Sequence, residues 1–182
     1  MNLTRKLVYC AFFVSLIAVS SFIVVPVPII PFVLTYQMTF LAAMILGGKW
    51  GALSVIIYMF AGLCGLPVFT SGGGLASFVS PTFGFIIGFV IGTFAAGKIA
   101  NVKGKVPTAK RLIVAIAVNI VIVYLIGTVY CLLIMKFYIH TQKSLWAVLI
   151  ACIIPIPKDI LLNGILAFSA RKLIPVIGID KI

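Results

Sequence analysis

Between Arg111 and Lys136 the sequence runs for twenty-four residues without a charge, and its polar groups are limited to Asn119, Thr128 and two tyrosines. A segment of this kind is long enough to cross the roughly 30 Å hydrocarbon layer of a membrane, which takes about 20 apolar residues. Inside that layer every backbone N–H and C=O must be bonded internally, so the run has to be a helix. Similar runs recur along the chain. With 64% hydrophobic and 9% charged residues, the composition lies far from soluble domains, where about half the residues are apolar. The 182 residues read as one all-α integral membrane domain with room for about six spans.

The spans fall at about 7–25, 32–46, 52–64, 81–97, 112–137 and 158–173, with a short apolar helix at 145–154. That short helix is either an interfacial lid or the upper half of a helix broken by Pro155-Ile-Pro157. Pro26, Pro28 and Pro31 make the 1–2 connection an extended linker, and Gly47-Gly-Lys-Trp-Gly51 is a tight turn. The basic start and apolar stretch resemble a leader, with Ala18-Val-Ser20 as a cleavage-like site, but the run continues to Val25 and is read as a span. With the N-terminus inside, eleven Lys and Arg lie on the inner side and two, Lys136 and Lys143, on the outer side. That asymmetry implies an N-in, C-in arrangement. It also accounts for the net charge of +12 without nucleic acid, because the basic residues punctuate apolar runs instead of forming a basic face.

The same topology places seven of the nine prolines near the outer face, where irregular backbone must line protein or a cavity. Gly65 to Gly88 belongs there too. Its Gly72-Gly-Gly74 turn reads as a mobile lid over a small-molecule pocket, and the helix that follows reads as one of the pocket walls. That helix carries Gly84, Gly88, Gly92 and Ala96 on one face, a stripe suited to close helix packing. Gly92 to Lys98 has the spacing of a phosphate-binding loop, but Ile99 stands where Ser or Thr is needed and no strand precedes it. ATP chemistry is therefore expected on other subunits. In the first helix Ala11 and Ser15 form a small-residue pair, read as internal packing or, alternatively, as a docking face for a membrane partner.

Lys158-Asp159 is the one acid-containing site in the apolar region, and ionisable groups there point to function. Asp159 reads as a ligand anchor and also as a cap for the last helix after Pro157, two compatible roles; Lys158 either pairs with it or binds an anionic ligand group at the positive helix end. Asn163, one turn on, offers a further hydrogen bond. Cys10, Cys64, Cys131 and Cys152 are scattered through apolar segments and read as small core residues, with neither metal nor disulfide spacing. His140 stands alone in an outer loop and is assigned no role. Two acids and one histidine cannot supply a catalytic set, so the chain is not expected to be an enzyme and no cofactor is expected.

Pro31-Phe32, Gly47-x-Lys49-x-Gly51-Ala-Leu-Ser54, Gly65-Leu-Pro-Val-Phe69, Gly72-Gly-Gly74, Pro81-Thr82-Phe-Gly84-Phe85-x-x-Gly88-Phe89 and Pro155-x-Pro157-Lys-Asp159 together resemble the BioY family. These are the biotin-binding S-components of energy-coupling-factor transporters. The resemblance implies a six-helix S-component bundle in a prokaryotic plasma membrane, with biotin held near the outer face beneath the 1–2 linker and the Gly72 to Gly74 loop. It implies that Ala11 and Ser15 face a transmembrane coupling subunit and that two cytoplasmic ATPases complete the importer. Against biotin's ureido group, thioether ring and carboxylate, Asp159 would accept from the ureido N–H groups. Phe69, Phe78 and Phe85 would supply walls, with Thr82 in the motif beside them. Rival expectations are an S-component for thiamin or riboflavin, and a small proton-coupled carrier with Asp159 as its relay.

Overall fold

The computed structural model describes residues 3–25, 32–70, 72–101, 106–139 and 145–177. Helix α1 spans Leu3–Ser20; the pair β1, Val24–Val25, and β2, Phe32–Val33, runs antiparallel with Val24 opposite Val33; α2 spans Thr35–Leu63. A 3₁₀ segment, Leu75–Val79, leads to α3, Phe83–Ala100, and α4, Ala109–Phe137; α5, Leu145–Ile153, is separated from α6, Ile156–Ile177, by Ile154 and Pro155. Among the described residues five helices are long and apolar enough to cross a membrane: α1, the bent α2, α3, α4 and the stretch Leu149–Ile174 that joins α5 to α6. Their outward faces carry exposed Leu7, Phe12, Ile113, Val121 and Leu125, which suits a lipid surround.

Several expected helix boundaries move. The first helix stops at Ser20 instead of 25, because Val24–Val25 is extended and paired with Phe32–Val33; that pairing also delays the second helix from 32 to Thr35. The prolines of the linker lie outside the described residues, as does His140. The expected turn at 47–51 shrinks to one residue, Gly47, whose φ of 76° and ψ of 179° only glycine adopts readily. Helix resumes at once, and the two arms lie side by side: a Cβ on Gly51 would sit 3.0 Å from the Ala42 carbonyl oxygen, a contact no continuous helix allows over nine residues. Helix α3 begins at Phe83 instead of 81 and runs on to Ala100; α4 begins three residues earlier than 112, and α6 begins at Ile156 instead of 158 and runs on to Ile177.

The small-residue stripe on α3 does pack as its spacing suggests. A Cβ on Gly88 would be 3.0 Å from the Val123 backbone of α4, and one on Gly92 would be 2.8 Å from the Val123 side chain. At the far end of α3, Gly97 meets the backbone of Gly47 and Gly48. Asn101 closes that end by donating through Nδ2 to the carbonyls of Ala43 (3.1 Å) and Met44 (3.0 Å). These are among the carbonyls that the first arm of α2 leaves without helical partners. Lys6 lies over the Trp50 ring, so the start of α1, the α2 bend and the end of α3 share one basic end.

Two sequence readings are overturned. Ala11 and Ser15 are exposed, not packed inside; the buried face of α1 is Cys10, Phe13 and Ile17. Cys64 is exposed as well, while Cys10, Cys131 and Cys152 are buried.

Candidate functional site

At the end of the bundle opposite Asn101, a pocket opens between α2, α3, α4 and α6. The start of α2 contributes Thr35 and Tyr36, the loop after α2 contributes Phe69 and Thr70, and α3 contributes Phe85 and Phe89. Tyr124 enters from α4, Cys152 from α5, and Pro155, Lys158 and Asp159 from the α5–α6 break. The walls are aromatic and mutually oriented. Tyr36 stacks on Phe89 with centroids 5.5 Å apart, and Tyr124 meets both Tyr36 (6.4 Å) and Phe85 (6.0 Å) edge to face. Such geometry fixes ring planes as well as burying apolar area.

The polar centre is Asp159, only 3% exposed. Its Oδ1 accepts from Gln37 Nε2 at 2.6 Å and faces Lys158 Nζ at 2.9 Å, while Oδ2 accepts from the Tyr124 hydroxyl at 2.5 Å. A carboxylate taken from water costs several kcal/mol unless paired and hydrogen-bonded, and bonds to a charged group each contribute about 1.5–3 kcal/mol. Donors from α2, α4 and α6 itself meet that cost. Four lone-pair positions on a carboxylate against three donors leave it able to accept once more.

The capping role weighed for Asp159 does not hold. Its own N–H donates to the Pro155 carbonyl at 3.0 Å, inside the first helical turn, whereas a cap precedes that turn. The loop is positioned by Tyr58, whose hydroxyl donates to the Val68 carbonyl at 2.8 Å. Phe69 is seated against Gly62, where any Cβ would strike its ring.

Of the residues singled out in the sequence, the pocket gathers Asp159, Lys158, Phe69, Thr82 and Phe85. Gly72, Gly73 and Gly74 do not line it. Gly72 bridges back to Phe69, Gly74 N–H donates to the Gly62 carbonyl at 2.8 Å, and a Cβ on Gly73 would strike the Leu66 carbonyl. Their part in the loop is to let backbone pass close to backbone. Phe78 is half-exposed and packs on Phe83 at 4.7 Å instead of facing the pocket. Asn163 is fully buried outside the lining, with its amide against the Tyr36 side chain.

Gln37, Tyr36, Tyr124 and Tyr58 were not singled out in the sequence, and Phe89 stood in the motif without a place in the site. The available signal was polarity inside apolar runs: Gln37 is a lone amide in 32–46, and Tyr124 shares its run with only three other polar or aromatic residues.

The BioY family model matches residues 1–178. A probable biotin transporter BioY of Lysinibacillus sphaericus is 38% identical over 144 residues, covering 79% of this chain and 72% of the relative. The biotin transporter BioY of Thermotoga maritima is 36% identical over 141 residues, covering 77% and 79%. Among solved structures, the 2.1 Å crystal structure of the S-component for biotin from an ECF-type ABC transporter superposes with a TM-score of 0.77 at 26% identity, covering 95% of this chain and 94% of that one.

Proposed function

The chain belongs to the BioY family, and on that footing we propose that it is the biotin-capturing S-component of an energy-coupling-factor importer. The observation that carries this reading is the pocket itself: a buried carboxylate with one acceptor position to spare, set in aromatic walls at one end of a membrane bundle. Tyr36, Phe85 and Phe89 offer aromatic wall to biotin's fused rings, and a ureido N–H matches the open position on Asp159. Lys158, one-third exposed at the rim, is the cation for the ligand carboxylate, and Thr82 lines the same mouth. Capture at nanomolar ligand needs about −12 kcal/mol, which favours enclosure. The Gly72 to Gly74 loop acts as the lid that carries Phe69 and Thr70, with Phe78 packed on Phe83 beside it, while Asn163 backs the Tyr36 wall of the pocket.

The wider assembly follows from the same reading. The exposed Ala11 and Ser15 form the face that meets a transmembrane coupling subunit, and two cytoplasmic ATPases drive release, so this subunit needs neither catalysis nor a cofactor of its own. Both arms of α2 count as crossings, which makes six in a single domain of a prokaryotic plasma membrane, with both termini inside. Support comes from α1 and the end of α6, where Phe13, Ala170 and Ile174 share the core at the basic end.

Equilibrium binding to the purified protein tests the reading. Biotin binds tightly, and Lys158→Ala weakens biotin more than it weakens an uncharged biotin amide. Tight binding of thiamin or riboflavin with no binding of biotin would overturn it, as would proton-driven uptake by this chain alone in liposomes.

A further inference from the structure

Gly47 folds the two arms of α2 side by side, and Thr35 and Tyr58 stand at nearly equal distances along the chain from that bend. Folding therefore brings them level. The Thr35 hydroxyl and Ser21, the residue after α1, both stand against the Tyr58 hydroxyl. Ser21 gives its proton to the Ala18 carbonyl at 2.7 Å, which leaves Thr35 as the donor to the Tyr58 oxygen. Tyr58 passes its own proton to the Val68 carbonyl at 2.8 Å. A phenol can donate and accept at once, and at 2% exposure it needs such partners, because an unpaired polar group is costly away from water.

This relay joins two segments that meet at the pocket from different parts of the chain. The stretch around β1 and β2 brings Ser21, Val33 and Thr35 to the lining, and the loop after α2 brings Phe69 and Thr70. Other ties of the loop hold it to itself and to the second arm of α2. Gly74 N–H reaches the Gly62 carbonyl, Phe69 pairs with Gly72, and the Phe69 ring meets that of Tyr58 edge to face at 5.5 Å. The Tyr58 hydroxyl carries the tie onward to Thr35. Freeing one segment alone strands either the Thr35 hydroxyl or the Val68 carbonyl, and the cost of a stranded group makes the two give way together.

We propose that Tyr58 is a positioning residue for ligand retention, its hydroxyl latching the loop that carries Phe69 and Thr70 to the β1–β2 stretch so that the two hold the ligand as one unit. The inference rests on the biotin reading and deepens it. Such a latch acts on departure. The occupant leaves when the loop lifts, so removing the hydroxyl shortens residence and leaves encounter little changed. A bond of the same kind at the far end of the loop serves as its control: Tyr130 of α4 donates to the Phe78 carbonyl, and neither residue belongs to the pocket lining.

The test measures biotin association and dissociation rates on the full chain in detergent, for the parent, Tyr58→Phe, Thr35→Val, the double variant and Tyr130→Phe. Tyr58→Phe keeps the ring against Phe69 and removes only the oxygen. It should speed dissociation at least fivefold and leave association within twofold of the parent. Thr35→Val should speed dissociation at least threefold, and the double variant should match Tyr58→Phe within twofold, because both substitutions break one relay. Tyr130→Phe should stay within twofold of the parent. Unchanged dissociation in Tyr58→Phe would overturn the proposal. So would a double variant equal to the product of the single effects, which would mean that Tyr58 acts on the ligand without Thr35, or equal acceleration in Tyr130→Phe, which would mean general loosening of the loop. If Tyr58→Phe is not obtained folded, the dissociation rate of Thr35→Val decides alone. A parent protein that binds no biotin ends the capture reading and this proposal with it; every other failure leaves that reading standing.

Discussion

At the basic end of the bundle seven of the fourteen clustered core residues are alanine, whereas at the pocket end five of ten are tyrosine or phenylalanine. Small side chains let helix backbones approach closely, and at the basic end they do: Gly97 meets Gly48 directly, and the polar group there, Asn101, is satisfied twice over. The aromatic end keeps helices apart and leaves space between them. It also holds the buried carboxylate of Asp159, with Gln37, Tyr124 and Lys158 gathered on it. One end closes on itself, and the other keeps a cavity. Stability and binding are thereby assigned to different residues of the same helices.

Three substitutions sharpen or break that division. The largest effect is expected from Gly97→Val, whose side chain would strike the Gly47–Gly48 backbone. Overpacking of this kind costs about 3 kcal/mol, read as a lower melting temperature in detergent, with biotin affinity of the folded fraction unchanged. A parallel loss of affinity would show that the two ends are coupled. Next, Asp159→Ala should weaken biotin at least tenfold, about 1.4 kcal/mol or more, with folded protein retained; unaltered affinity would reduce Asp159 to a structural link between helices. The smallest effect belongs to Asn101→Ala. Losing its two bonds to the first arm of α2 should cost about 1 kcal/mol of stability and leave the ligand isotherm where it was.

The division was only partly visible in the sequence. Apolar runs, the α3 glycine stripe and the Lys158–Asp159 pair are local patterns, and each landed where its spacing implied. The partners of Asp159 were not local: Gln37 is 122 residues away and Tyr124 is 35, and nothing in an apolar run tells a tyrosine that faces a pocket from one that faces lipid. The Gly72 to Gly74 turn was conspicuous for its composition, yet its glycines serve the loop's own close turns, and Phe69 and Thr70 beside them reach the pocket. Asp159 looked like a cap because Pro157 suggested a start there. Proline is tolerated in a first turn, and the helix had begun at Ile156. Ala11 and Ser15 form a small-residue pair like that of α3, but exposure, which spacing does not encode, separates the two.

The distance along the chain between Gln37 and Asp159 also sets an order of assembly. Helices α1 to α4 contact their sequence neighbours and can pack as they emerge, but the carboxylate that joins α2 to α4 arrives with α6, the last helix described. The ligand-ready site therefore needs α6 in place, whereas most of the contact between helices lies among α1 to α4.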